Sequence, residues 1–413
     1  MSSGNTIEAK HASVLAPLSI PIFRLFWFAS IFSNLGTWIH EVGASWLMTQ
    51  LDSSPEMVAA VRVSMAIPMM LMAIPAGVIA DRIDRRKLII VTQLFLFSTA
   101  STLAMLTYSG AVTAWLLLSL TFLTGMGMVL HVLTWQSAIP ELVSRAQLSR
   151  AVALGSISFN LARSIGPAIG GVMIAMAGTW VTFAANAFSF AGVLAVAVRW
   201  NREGAVAPQQ VSVKSSLTEA VAHLRATESL KHSLVRLAMF MIPASAMWSL
   251  LPLLSRQQLL WAERGYGFLV TTLGLGAVVG ATIIHSLHRR FGMDRTIRFA
   301  MGLFAIALLI LAHTTNGLAA STVTFVLGGA WMMTLTTLNS TTQLSLSNAL
   351  RARGMSFYYA TMAGSMSTGA FVWGQTAGTF GLVHTLSVAS ILLMILTITS
   401  RLFPICVSEE VDA

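Results

Sequence analysis

Residues 77–87 read GVIADRIDRRK, and residues 280–290 read GATIIHSLHRR. In both stretches a glycine stands nine and ten positions ahead of a basic pair. One offset of 203 carries Gly77 to Gly280, Arg86 to Arg289 and Lys87 to Arg290. The same offset carries Gly125 to Gly328, Ser137 to Ser340, Arg150 to Arg353, Gly166 to Gly369 and Gly171 to Gly374. The shift is close to half of the 413 residues, so the chain reads as a diverged duplication.

Composition sets the solvent in which that duplication folds. Hydrophobic residues make up 55% of the chain and charged residues 10%, and the mean hydropathy is +0.75. A water-soluble surface draws on about 25% charged residues, so this chain is predicted to be an integral membrane protein. Cys406 is the single cysteine, which excludes an intramolecular disulfide and a cysteine-based metal cluster. Residues 1–18 carry no apolar stretch ending in a small-residue cleavage site, so the first span is expected to act as the targeting signal.

A membrane-crossing helix needs about 20 mainly apolar residues. Such segments fall near 24–49, 57–80, 88–108, 111–139, 151–177 and 180–199, and again near 233–254, 266–287, 297–314, 317–343, 354–380 and 382–404. The reading is an all-α membrane protein of 12 spans in two pseudo-symmetric six-helix bundles, 1–199 and 233–413, joined by a linker at 200–232. An internal repeat in so apolar a chain is the pattern of secondary transporters, whose halves rock about a shared site. With both termini in the cytoplasm, Arg62, Arg256 and Arg264 fall outside and Arg163 within a span, leaving 21 of the 25 Lys and Arg on the inner side. That imbalance supports cytoplasmic termini. It also accounts for the net charge of +10 without nucleic acid, because the basic residues are spread over loops between apolar spans. In the linker, residues 216–230 have helical spacing, with Ser216 and Glu219 placed as a capping box. They read either as an amphipathic surface helix or as plain tether.

The stretch from Gly77 to Lys87 resembles the signature loop of the major facilitator superfamily: a glycine, an aspartate-arginine pair, then a basic pair. Asp84 stands where that signature usually has a second glycine. Arg163-Ser-Ile-Gly166-Pro167-Ala-Ile-Gly170-Gly171 resembles the superfamily's exporter-associated motif, in which a glycine-proline kink shapes the interface between halves. Gly36 to Leu47, Ile139-Pro140-Glu141 with Arg145, and Arg351 to Gly354 are similar to the branch containing bacterial siderophore exporters and multidrug efflux proteins. The resemblance implies the major facilitator fold, in which span 1 lines the central cavity. On that expectation Gly77, Asp81, Arg82, Arg85, Arg86, Arg351 and Arg353 form a gating cluster, with Asp81 pairing across the domain interface. The alternative is that these arginines only obey the positive-inside rule. Ile284 replaces the aspartate in the second half, so any such latch is asymmetric.

A charge at membrane depth is costly and needs a reason. Glu41 lies well inside span 1 and shares a face with Asn34, Trp38 and Ser45, while Arg163 lies at a similar expected depth on span 5. A Glu41–Arg163 pair is therefore expected, either as a proton-coupling element or as a fixed structural ion pair. His131 in span 4 is a candidate proton relay. In the second half Trp331, Thr334, Asn339, Gln343, Ser365 and Trp373 are candidate cavity groups. No phosphate loop, metal-ligand spacing or nucleophile-base motif occurs, so no cofactor or metal is expected and the chain does not read as an enzyme. The function read from the sequence is proton-antiporting export of a small amphipathic compound, drug-like or a siderophore, by a monomer in the bacterial inner membrane. An importer on the same fold, a lipid mover and a sensor are the alternatives.

Overall fold

The computed structural model describes residues 15–144, 147–200, 227–346 and 351–404. These form twelve long α-helices: α1 Pro21–Leu51, α2 Pro55–Arg82, α3 Arg85–Tyr108, α4 Ala114–Leu142, α5 Leu148–Ala177, α6 Trp180–Arg199, α7 Glu228–Leu253, α8 Glu263–Phe291, α9 Met293–His313, α10 Gly317–Leu344, α11 Arg351–Phe380 and α12 Leu382–Thr399. Each expected span contains the body of one of them. Ten are long and apolar enough to cross a membrane; the other two, α2 and α11, include side chains outside the described residues. Of the stretch expected at 216–230 as an amphipathic helix or a tether, residues up to 226 lie outside the described residues, and α7 begins at Glu228.

Local chemistry sets the helix ends. Pro21 and Pro55 open α1 and α2, where a missing N–H costs nothing. Thr113 caps α4, and Asn316 accepts from the Leu318 and Ala319 amides at the start of α10. Asp84, the departure from the signature glycine, caps α3 by accepting the Lys87 amide at 2.9 Å. Its φ of −53° is one any residue adopts, so this turn does not require glycine.

The packing repeats as the sequence does. In the first six helices α1 packs on α5 and α6, α2 on α4, and α3 on α4 and α6. In the last six, α7 packs on α11 and α12, α8 on α10, and α9 on α10 and α12. The paired glycines occupy matching contacts. Gly125 of α4 lies against Met65 of α2, and Gly328 of α10 against Leu273 of α8. Gly166 of α5 faces Trp38 of α1, and Gly369 of α11 faces Ile242 of α7. Gly178 and Gly381, also 203 apart, take left-handed φ values of 85° and 81° at the turns after α5 and α11.

The two sets of six meet chiefly through α5 with α8 and α2 with α11, which are equivalent pairs under the repeat. At the first seam Gly171 and Gly267 lie backbone to backbone, with no room for a Cβ on either. At the second, Gly374 and Gly378 fit against Pro55, Glu56 and Ala59. These residues sit at one end of the bundle, opposite the end where α1 begins, and Gln257 reaches across the same end to the Ser53 carbonyl at 3.4 Å. Along α5 the seam continues inward through Thr271, which donates to the Ala168 carbonyl at 3.3 Å, to Gly274 against Ser164. The bundle is thus joined at one end, which we call the seam end; the other end carries the arginine-rich loops.

Candidate functional site

Glu41 does not pair with Arg163. Its carboxylate accepts from Arg62 of α2; the arginine is buried and the glutamate partly so. Depth explains the correction. α1 starts at Pro21, so Glu41 lies about 30 Å along it, whereas Arg163 lies about 22 Å along α5, at 1.5 Å per residue. Measured from the seam end, Glu41 and Arg62 lie about 15 and 10 Å in, a close match. Arg62, counted above on the outer side, is therefore a buried cation, 6% exposed, within α2.

Arg62 also reaches across the seam. Its guanidinium lies 4.9 Å from the ring centroid of Trp248 on α7, a cation–π contact between the two halves of the repeat. Beside it Trp46 of α1 stacks on Tyr266 of α8, with centroids 4.9 Å apart and planes 14° from parallel. Trp248 packs edge-on against Trp331 at 5.5 Å, and Trp331 joins Phe240 and Phe304. Charge, cation–π contact and stacked rings thus share one layer at the seam end.

The remaining candidates fall into three settings. Asn34 donates to Ser158 of α5 at 3.2 Å, and Trp38 lies by Phe159 and Gly166, so both face α5. Ser45, Trp331, Ser365 and Trp373 are buried within the helix packing in this conformation; Trp373 donates to the Ile242 carbonyl at 2.7 Å. His131 is buried between α3 and α4 with Nδ1 2.8 Å from the Gln93 amide. Gly170 packs on Ile39 and Val42 of α1, and α5 continues as one helix through Pro167.

At the arginine-rich end, Arg85 pairs with Glu141, joining two of the quoted motifs within the first six helices. Arg86 donates to the Ala197 and Val198 carbonyls at 3.1 and 2.7 Å, holding the last turn of α6. The surroundings of Gly77 and the side chains of Asp81, Arg82, Arg351 and Arg353 lie outside the described residues.

Arg163 stands where the first six helices approach the last six below the seam. It donates to Asn160 at 2.9 Å and contacts the Met332 sulfur of α10 at 3.6 Å. Tyr358 and Tyr359 of α11 lie close enough to feel its charge, and Asn339 sits beside both phenols and accepts from Gln343 at 2.6 Å. The two tyrosines and Met332 carried no signal in the sequence, since aromatic and methionine residues fill any membrane bundle. Arg62 was read as an outer-side charge; its place five residues inside the span expected at 57–80 was the signal that could have found it.

This arrangement, two repeated six-helix sets meeting at paired seams with a polar cluster between them, is that of a multi-pass membrane transporter of the major facilitator superfamily. The sequence profile of transmembrane secretion effectors, a family of that superfamily, matches residues 12–413, and the chain belongs to that family. It is 24% identical to a staphyloferrin A transporter of Staphylococcus aureus over 69% of this chain and 72% of that protein. It is 31% identical to the multidrug efflux pump Tap of Mycolicibacterium fortuitum, over 48% of each chain. Among solved structures, an inward-facing, unoccupied bacterial homologue of the lysosomal transporter Spinster superposes with a TM-score of 0.69 at 13% identity, covering 92% of this chain and 97% of that one. A POT family transporter bound to 5-aminolevulinic acid superposes with a TM-score of 0.70 at 13% identity, covering 92% and 95%. These two likenesses establish the fold.

Proposed function

We propose that this chain exports a small amphipathic molecule across a bacterial inner membrane by alternating access, driven by proton entry. All twelve helices cross the bilayer with both termini cytoplasmic, and a monomer of two bundles, 1–199 and 233–413, suffices. In that orientation the seam end faces outward and the structure is an inward-facing state. The relatives' names, a siderophore transporter and a multidrug pump, favour export of a siderophore or drug-like compound.

The observation that carries this reading is the layer of Glu41, Arg62 and Trp248 at the seam. Arg62 holds a carboxylate on α1 and an aromatic ring on α7 together. Protonation of Glu41 removes the counter-charge from Arg62 and weakens the hold on that geometry. Opening the seam hydrates the pair and exposes Glu41 to the outer proton supply, and closing it returns Glu41 to Arg62 and expels the proton. Of the two roles expected of Glu41 this scheme takes the coupling one, with Arg62 in place of Arg163 as its partner and Tyr266 of α8 near the pair.

Proteoliposome experiments test the scheme. Substrate-dependent proton movement is expected with wild-type protein and not with Glu41→Gln. Equal proton movement in both would reduce Glu41 to a structural role.

A further inference from the structure

The charge of Arg163 is unanswered by any carboxylate among the described residues. Its Nη2 donates to the neutral Asn160 amide oxygen, its Nε is buried without a hydrogen-bond partner, and the Phe159 ring lies 6.0 Å away. Structural arginines elsewhere in this chain are treated differently. Arg62 has Glu41, Arg85 has Glu141, and the fully buried Arg236 has Asp294 at 2.6 Å together with the Ser400 carbonyl. A cation held in an apolar bundle without a counter-ion is expensive, and such groups mark ligand or ion sites.

The surroundings favour one ligand chemistry. Arg163 sits just below the seam, next to Ser164 and a little over one turn from Ala168, where the two halves begin to part. Beside the guanidinium stand the Asn339 amide and the Tyr359 phenol, both able to donate, while Asn160 turns its amide oxygen to Arg163 and its nitrogen to the Ser156 carbonyl at 2.8 Å. Met332 and Phe159 add apolar, polarisable walls. A guanidinium fork matches the two oxygens of a carboxylate, and the Asn339 nitrogen and the Tyr359 hydroxyl can supply further donors.

We propose that Arg163 is the anion-binding residue of the transport site, and that the substrate presents a carboxylate to it with an apolar body against Met332 and Phe159. The inference rests on the transporter reading but separates from the proton-coupling scheme: Arg163 binds substrate, while Glu41 and Arg62 couple it. Because Asn160 and Arg163 belong to α5 whereas Met332, Asn339 and Tyr359 belong to α10 and α11, a bound carboxylate bridges the halves. Binding therefore favours the conformation in which both sides reach it.

The test measures binding to purified full-length protein in detergent with three matched fluorophores: dansylglycine, its uncharged methyl ester, and a dansyl trimethylammonium analogue. Wild-type protein is expected to bind dansylglycine at least tenfold more tightly than the ester or the cation. Arg163→Gln is expected to lose that preference while ester binding and thermal unfolding stay unchanged, and Arg163→Lys to retain part of it. Absence of a carboxylate preference in wild type, or its persistence in Arg163→Gln, overturns the proposal. Proton flux in proteoliposomes is read separately. Carboxylate binding lost in Arg163→Gln, without flux under any condition, leaves this site standing and rejects coupled transport; flux with a cationic probe alone does the reverse.

Discussion

Gly171→Ala should open the molecule at the seam end without unfolding either half. A Cβ on Gly171 would lie 2.9 Å from the Gly267 Cα and 3.0 Å from its carbonyl carbon, where ordinary contacts begin at 3.4 Å. Backbone atoms have no rotamer in which to retreat, so α5 and α8 must separate. Overpacking of this kind costs about 1–3 kcal/mol. The penalty falls only on the closed seam, so the closed-to-open ratio should drop by about 5- to 150-fold. Spin labels at Ser109 and Thr315, both exposed at the seam end on opposite halves, would report it as growth of a longer-distance population in double electron–electron resonance. Gly155→Ala is the control: nothing lies within 4 Å of its Cβ, and the better helix former should be neutral to slightly stabilising. An unchanged distance distribution in a folded Gly171→Ala protein would show that the glycine contact does not govern closure.

Three further outcomes follow from the charges and caps. Glu41→Gln leaves Arg62 buried without its counter-ion and should cost about 3 kcal/mol, read as a lowered unfolding temperature. Glu41→Gln with Arg62→Gln should restore much of that stability but not proton flux, and restored flux would make the pair purely structural. Asp294→Asn removes the carboxylate shared by Arg236 and Arg298 and should also lower the unfolding temperature by several degrees, whereas Arg298→Gln, at a partly exposed pair, should shift it by less. Asp84→Ala should cost about 1 kcal/mol through loss of the α3 cap, and Asp84→Gly only a few tenths if capping is its chief role.

The fold was legible because membrane spans announce themselves by length and because glycines at close helix crossings cannot drift. Gly125 with Gly328 and Gly166 with Gly369 survived duplication for one physical reason, a neighbouring helix where a Cβ would go. Asp84 was legible only as a departure from the signature, since a capping carboxylate needs the turn to be known. The site was less legible. Depth along a helix depends on where the helix starts, and the observed starts at Pro21 and Leu148 put Glu41 about 30 Å along α1 but Arg163 only about 22 Å along α5. The cross-seam partners Trp248 and Tyr266, and Tyr358 and Tyr359 beside Arg163, come from distant segments, and nothing in their own neighbourhoods distinguishes them from membrane filler.

Where the repeat fails is informative in its own right. The 203-residue counterparts of Glu41, Arg62, Arg163 and His131 are Ala244, Gly265, Met366 and Thr334. The charged groups Glu41, Arg62 and Arg163, at the seam and just below it, therefore have no charged counterpart at the equivalent positions of the second half. The elements common to both halves are the glycine seams and turns, which need only to be small and to let paired helices close. A symmetric pair of hinges makes rocking possible, but symmetric charges would place two like cations across the same narrow cleft, where they repel. Confining Arg62 and Arg163 to one half lets the other offer neutral partners, an aromatic face at Trp248 and amides and phenols at Asn339 and Tyr359. Neutral partners hold weakly enough to release, which a cycling contact requires and a buried ion pair across the halves would resist.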